Sequence, residues 1–219
     1  MINKEVLFRK IKEALESGKS RRFRQSVELI LVLRGVDLNK PENRMNILVQ
    51  LPHPPKLNKV AAFAHGAFEV QAKNAGVDAV ITRQEIEALA GNKRAIRKLA
   101  KKYDFFIAPP DLMSLLGRVI GPIFGPRGKM PEVVPPNADV KTVLERLRKS
   151  VRIRMRTEPV VKVRVGAEDQ KPEEILENII TVLEEVNRKF PLRQHLKDVY
   201  IKKAMGPPVK TRAVEVLTR

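Results

Sequence analysis

The stretch Leu116–Glu132 reads LGRVIGPIFGPRGKMPE, and the fold of the chain around it turns on how this run is read. Gly117, Gly121, Gly125 and Gly128 alternate with Pro122, Pro126 and Pro131, and Arg118, Arg127 and Lys129 face a single carboxylate, Glu132. Glycine permits left-handed turns and close backbone approach, whereas proline fixes φ and removes a donor. Such dense punctuation predicts a shaped basic loop rather than a helix or strand. A phosphate-cradling P-loop needs Gly, four residues, then Gly-Lys-Ser/Thr, with the hydroxyl holding magnesium. Here Met130 follows Gly128-Lys129, and Ile123 stands at the earlier glycine position. That NTPase motif is absent. The residues leave two readings open: a rigid loop wrapping its own domain, or a direct nucleic-acid contact.

Outward from this stretch, composition narrows the class. The chain has 219 residues, enough for one large or two small domains, and 43% of them are hydrophobic. Forty-three Lys and Arg outweigh 25 Asp and Glu, a formal net charge of +18. That excess suits a polyanion, nucleic acid before an anionic membrane surface. With no cysteine, disulfides and thiolate metal sites are excluded. The amino terminus lacks an apolar signal core and no later run is long enough to span a bilayer, so a cytosolic protein with no membrane partner is expected.

Val6, Leu7, Ile11, Ala14 and Leu15 recur at helical spacing, predicting an amphipathic helix over Asn3–Ser17 that Gly18 and Ser20 end. Lys19, Arg21, Arg22 and Arg24 surround Phe23, and the runs Val27–Leu33 and Met45–Leu51 read as strands. Pro52, Pro54 and Pro55 form a stiff exit, expected to act as a hinge. Beyond it, strands at Val60–Phe63, Val77–Thr82 and Phe105–Ala108 alternate with helices at Ala67–Ala75, Glu85–Ala90, Ala95–Lys102 and Val140–Lys149. Leu112–Leu116 is also expected to be helical, and Asp139 to cap the last helix. This rhythm is that of a small parallel α/β layer. No GxGxxG follows any of its strands, so a dinucleotide fingerprint is absent.

Lys93, Arg94, Arg97, Lys98, Lys101 and Lys102 crowd the helix around Ala95 without one acid. They are either a solvated face or a phosphate contact in a large assembly. From Val151 the period becomes two. Val151, Ile153 and Met155 alternate with Arg152, Arg154 and Arg156, and Val161, Val163 and Val165 alternate with Lys162 and Arg164. These are strands with cationic outer faces. Asp169–Phe190 holds a strong helix, and Asp198–Lys203 a final strand broken at Met205-Gly206-Pro207-Pro208. Catalysis has little support. His53, His65 and His195 are scattered, with no nucleophile or carboxylate at a telling spacing, and no metal cluster or cofactor motif is visible.

RNA binding is better supported. In RRFRQSVE, Phe23 sets a flat ring among guanidiniums, suited to sugar or base while the arginines neutralise phosphates. The alternative is that Phe23 starts the core of the next strand. Near the carboxyl end, KKAMGPPVK offers Met205 as a deformable apolar contact and Gly206 for close backbone approach, or simply a strand-ending turn.

The Leu116–Glu132 run closely resembles the signature of the universal large-subunit ribosomal protein family called "L one", in its archaeal-type form, whose members sit on the mobile lateral stalk. RRFRQSVE and KKAMGPPVK match that family's RNA-contacting elements and extend the resemblance over nearly the whole chain. It implies an α/β (α+β) protein of two domains. A discontinuous split β-α-β RNA-binding domain would comprise residues 1–57 and 150–219, and a Rossmann-like three-layer α/β domain would be inserted over residues 58–149. Gly117, Gly121, Gly125, Pro126, Arg127, Gly128, Lys129 and Pro131 would be the family signature loop. By resemblance, Arg22, Phe23, Ser26 and Glu28 join Met205, Gly206 and Pro207 in one recognition surface, with Glu28 accepting from a ribose hydroxyl. Members usually carry Thr-Met-Gly-Pro; here Ala204 replaces the threonine, removing one hydroxyl contact. Charge and alternation alone add Arg164, Lys203 and Lys210 as phosphate partners.

The implied function is that of a non-enzymatic constituent of the large ribosomal subunit. Such a protein binds stalk rRNA beside the exit site, helps deacylated tRNA leave, and represses translation by binding a similar structure in its own mRNA. Large-subunit rRNA, exit-site tRNA and its own mRNA are thus the expected partners, with no cofactor and a monomer when free of the ribosome. The inserted domain would reach toward further rRNA or tRNA. Two rivals are a nucleotide-dependent enzyme using the middle α/β layer and a basic membrane-surface protein. The first lacks its motifs, and the second would need a cationic helix with large apolar residues opposite, whereas the first helix mixes Glu with Lys.

Overall fold

A computed structural model describes residues 2–19, 21–135 and 138–217. Ser20, one of the two expected helix breakers, lies outside the described residues. The chain opens with α1 (Lys4–Glu16), β1 (Ser26–Leu33) and β2 (Met45–Gln50). It continues through β3 (Val60–Ala64), α2 (Gly66–Ala75), β4 (Ala79–Thr82), α3 (Arg83–Ala88), α4 (Lys93–Lys102) and β5 (Phe105–Ala108). Then come α5 (Met113–Val119), α6 (Gly121–Arg127), β6 (Glu132–Val133) and α7 (Val140–Arg148). It closes with β7 (Ser150–Met155), β8 (Val160–Ala167), α8 (Pro172–Lys189), α9 (Leu192–His195), β9 (Leu196–Lys203), β10 (Val209–Arg212) and α10 (Ala213–Val216). These elements fall into two compact units, Met1–Lys56 with Lys149–Arg219, and Leu57–Arg148. No helix among the described residues is long and apolar enough to cross a membrane.

In the first unit β1 is central. It pairs antiparallel with β8 on one side and β9 on the other, and β10 extends the sheet in the order β10-β9-β1-β8. Period-two alternation sends Val27, Leu29, Leu31 and Leu33 into the core, where they meet the buried faces of α1 and α8. On α1 that face is Leu7, Ile11 and Ala14, one helical stripe; Asn3 caps its start by accepting from the Val6 N–H. On α8 it is Ile175, Ile179, Val182, Leu183 and Val186, with Pro172, Glu173 and Glu174 in the first turn and Arg188 and Lys189 in the last. Each fully buried Leu or Ile contributes about 1.5–3 kcal/mol. A separate pair, β2 with β7, runs antiparallel beside this sheet in the same unit.

The Pro52–Pro55 segment, expected to hinge, is clamped to its own unit. The His53 N–H donates to Asn178 Oδ1 at 2.9 Å, and the side-chain amides of Asn178 and Gln170 donate back to the His53 carbonyl at 2.6 and 3.1 Å. Arg24 donates to the Pro55 carbonyl at 2.9 Å. Asn178 is fully buried within α8; its amide nitrogen also donates to the Val165 carbonyl, but releasing the segment would leave its amide oxygen without the His53 donor.

In the second unit the sheet is parallel, ordered β4-β3-β5-β6, and β3 is buried at every position. The Leu116–Glu132 stretch belongs to this unit and is not the loop that its composition predicts. It forms most of α5, all of α6 and the start of β6. Gly117 lies within α5, and Gly121, Gly125, Pro126 and Arg127 within α6. Pro122 occupies the first turn of α6, where its missing N–H has no intrahelical partner to lose. Pro126 forgoes one main-chain bond near the end of a seven-residue helix.

Core packing supplies the compensation. Phe124 is buried with its ring centroid 4.7 Å from that of Phe106, which stacks in turn on Phe63. Gly128 then ends α6 in the left-handed region at φ 66°. Lys129 turns its ammonium inward to donate to the carbonyls of Ala100 (2.8 Å) and Tyr103 (2.7 Å), capping the end of α4, and buried Pro131 leads into β6. A Cβ at Gly117, Gly121 or Gly125 would meet nothing within 4 Å, and nothing in the fold explains glycine at those three positions.

Two substitutions separate this arrangement from a loop. Gly128→Ala should lower the stability of the second unit by about 1–2 kcal/mol through left-handed strain, and Lys129→Met by about 1.5–3 kcal/mol through loss of charged hydrogen bonds. Urea unfolding of the full chain measures both; near-neutral values would show that the stretch is not built as described.

Candidate nucleic-acid interface

Three segments of the first unit, distant in sequence, meet at Gln25. Its side chain is 1% exposed. Its N–H donates to Glu168 Oε1 at 2.8 Å, its amide nitrogen donates to Glu168 Oε2 at 3.1 Å, and its amide oxygen accepts from the Met205 N–H at 3.2 Å. The Glu168 N–H donates to the Gln25 carbonyl and the Ala204 N–H to the Ser26 carbonyl, at 3.0 and 2.8 Å. Every polar atom of the Gln25 amide is thus engaged, the condition for burying it. Gly206 closes a turn on the Lys203 carbonyl at 2.9 Å. Gly18, at φ 83°, abuts that turn: a Cβ there would lie 3.1 Å from Pro207 Cδ and 3.3 Å from Gly206 Cα. Glycine at positions 18 and 206 therefore serves close packing of the chain on itself.

This frame leaves two large apolar side chains in water. Phe23 is 54% exposed and Met205 61% exposed. Strand β1 begins at Ser26, so Phe23 does not start its core. Around Phe23 the arginines divide. Arg24 is bound to Asp169 at 2.8 Å and to the Pro55 carbonyl, and the hydrogen bond from Arg24 is the main reason the Asp169 carboxyl titrates below the usual carboxylate range. A carboxyl so depressed stays ionised at neutral pH, and the clamp loosens only as pH falls through that lowered value. Lys19, Arg21 and Arg22 are exposed, and none has an ion-pair partner among the described residues. Their charge is available to phosphate.

The open face of the sheet continues the surface. Directly paired residues of antiparallel strands point to one side, and register places Glu28 opposite Arg164 on β8 and opposite Lys202 on β9. Ile30 lies between Lys162 and Tyr200, and Tyr200 pairs with Lys210 on β10. Ser26 and Glu28 are half-buried on this face. Among the described residues, Glu28 has no ion pair within 4 Å, and Arg164 Nε is buried without a hydrogen-bond partner. The Lys210 ammonium lies 3.2 Å from Asp198 Oδ2 and over the Tyr200 ring, and the hydrogen bond to Asp198, then that to Tyr200, raises its pKa. It stays charged, with an acid of its own.

Lys203 departs from expectation. It is 6% exposed and donates to the Leu15 carbonyl at 2.9 Å, closing the end of α1. Lys202 takes the outward place. The strand's parity carried that signal, because Val199 and Ile201 are buried and Lys203 shares their side. Gln25 and Glu168 were also missed, and nothing local in the sequence marks them. The expected signature positions, from Gly117 to Pro131, all lie in the other unit. Among the described residues no group of three or more His, Asp or Glu could hold a metal ion.

The sequence model of the family described as "Ribosomal protein L1p/L10e family" matches residues 12–207. The chain belongs to this family. Membership in the L1p/L10e family makes the chain a structural component of the ribosome, not an enzyme, with ribosomal RNA as its partner. Among its relatives, the "Large ribosomal subunit protein uL1" of Pyrobaculum calidifontis is 79% identical over 219 residues, covering 100% of this chain and 99% of its own. The protein of the same name from Thermofilum pendens is 52% identical over 203 residues, 91% of this chain and 90% of its own. That from Archaeoglobus fulgidus is 45% identical over 212 residues, 96% and 99% of the two chains.

The two neighbouring lysines should behave oppositely. Lys202→Ala should reduce the slope of log affinity against log salt for RNA by up to about 0.9, one phosphate contact. Lys203→Met should leave that slope unchanged and lower stability by about 1–3 kcal/mol as the Leu15 carbonyl loses its donor. Salt-series titration paired with thermal unfolding checks both.

Proposed function

We propose that the chain binds the rRNA of the lateral stalk in the large subunit through the surface built around Gln25. The unit formed from both chain ends is then the RNA-binding domain, residues 1–57 with 150–219, and residues 58–149 form a second domain. In this reading Phe23 and Met205 pack on ribose or an unstacked base, Glu28 accepts from a 2′-hydroxyl, and Gly206 and Pro207 shape the turn between them. Arg22, Arg164 and Lys210 meet phosphates, with Lys202 taking the place expected of Lys203. By holding the stalk beside the exit site the protein assists release of deacylated tRNA, and by binding a similar fold in its own mRNA it represses translation. Free of the ribosome it is a monomer.

The observation that carries this reading is the exposure of Phe23 and Met205 beside the buried, fully hydrogen-bonded Gln25 amide. Rigid apolar contacts beside unpaired cations suit selective recognition of a folded RNA, where charge supplies affinity and shape supplies choice. A solvated surface would have no use for two large apolar tips so constrained.

The test compares a stalk rRNA fragment with an unrelated hairpin across a salt series, for the full chain and for Phe23→Ala and Met205→Ala. The stalk RNA should bind more tightly, keep its advantage as salt rises, and lose it in both variants. Equal binding of the two RNAs, collapsing together in salt with the variants silent, would reduce the interaction to counterion release.

A further inference from the structure

Helix α4 presents a surface that the reading above does not use. Its sequence KRAIRKLAKK buries Ile96 and Ala100 and turns Lys93, Arg94, Arg97, Lys98, Lys101 and Lys102 outward, all exposed. At about 100° per residue these six fill one half of the helix circumference, along an axis about 15 Å long. Among the described residues none of the six has an ion-pair partner. The carboxylates of neighbouring α3 are engaged elsewhere: Glu85 accepts from the N–H and hydroxyl of Thr82, and Glu87 pairs with Arg83.

This arrangement works against the free helix. Lys93 and Arg97, Arg94 and Lys98, Arg97 and Lys101, and Lys98 and Lys102 are like charges one turn apart. Lys93 and Arg94 also stand at the positive end of the helix dipole. The fold secures both ends, with Asn92 accepting from the Ala95 N–H at 3.0 Å and Lys129 capping Ala100 and Tyr103. A helix held rigid against its own repulsion gains most from an external polyanion.

We propose that α4 is a second RNA contact, gripping the phosphate backbone of base-paired RNA. The proposal rests on the chain being an RNA-binding ribosomal protein, but not on the surface around Phe23. Single-stranded RNA is disfavoured, because its binding uses exposed aromatic rings for stacking. The outer face of α4 has none, and Tyr103 is buried. A bilayer would need the apolar face of the helix, which here lies in the core. An acidic peptide could enter the groove of about 450 Å³ between α3 and α4, lined by Ile81, Leu89, Leu99 and Tyr103. Only Lys98 and Lys102 border that groove, so a peptide there leaves Lys93, Arg94, Arg97 and Lys101 unanswered.

The test uses the full chain carrying Arg94→Gln, Arg97→Gln and Lys101→Gln together, titrated with a stalk rRNA fragment that includes its flanking helices and, separately, with deacylated tRNA. The slope of log affinity against log salt should fall by about 2.7 for whichever RNA lies on α4, three phosphates at about 0.9 each. The variant should unfold no earlier than the natural chain, because it removes like-charge neighbours. Unchanged slopes with both RNAs overturn the proposal, as does loss of binding to an acidic peptide with RNA affinity intact. Phe23→Ala serves as the independent arm. If Phe23→Ala is silent while the triple variant lowers the slope, the α4 contact stands and the Phe23 surface falls.

Discussion

The buried amide of Gln25, hydrogen-bonded at once to Glu168 and Met205, is the constraint on which the candidate RNA surface depends. An exposed phenylalanine and an exposed methionine would ordinarily sample many positions, and ordering them on binding would cost conformational entropy. Here the N–H of Met205 and that of Gln25, two residues beyond Phe23, are hydrogen-bonded before any ligand arrives. Gly18 packed on Pro207 and Arg24 locked to Asp169 brace the same frame from two sides. Above that frame stand two exposed apolar side chains and a fringe of cations, an arrangement that suits the proposed choice among RNA shapes.

Charge in the chain is correspondingly divided by role. Arg24, Lys129 and Lys203 donate to carbonyls or carboxylates within the protein and hold its parts in place. Arg21, Arg22 and the cations of α4 are exposed, and none has an ion-pair partner among the described residues. Net charge alone cannot distinguish these two populations, yet only the second contributes to counterion release. The formal charge of +18 therefore overstates how many phosphates the protein can meet.

Much of the fold was legible because periodicity reports burial. The stripe of α1, the long amphipathic α8 and the alternation of β7 and β8 each announce which side faces the core, and the change of period separates antiparallel from parallel sheet. Lys203 was misplaced where charge was allowed to override parity, although Val199 and Ile201 already fixed its side. The Leu116–Glu132 stretch misled for a different reason. Its prolines and glycines were weighed by number, whereas Pro122 at a helix start and Gly128 at a helix end are helix punctuation. Position decides the meaning of such residues. Gln25 was beyond reach, since its partners Glu168 and Met205 lie 143 and 180 residues further along and a lone polar residue before a strand carries no mark of them.

The placement of β1 has a consequence for the chain as it is made. This central strand pairs only with β8 and β9, so Val27 must wait for Gly166 and Lys203. During synthesis the segment Leu57–Arg148 emerges whole, with every strand of its own sheet in hand, while Ser26–Leu33 still lacks both neighbours. Order of folding thus departs from order of synthesis: the inserted unit can fold first, and the amino-terminal strand, though made earlier, last. A nascent chain stopped anywhere before β9 lacks Met205, and with it the donor to the Gln25 amide oxygen. On the proposed reading, recognition of RNA through that surface therefore waits until β9 and Met205 have been made.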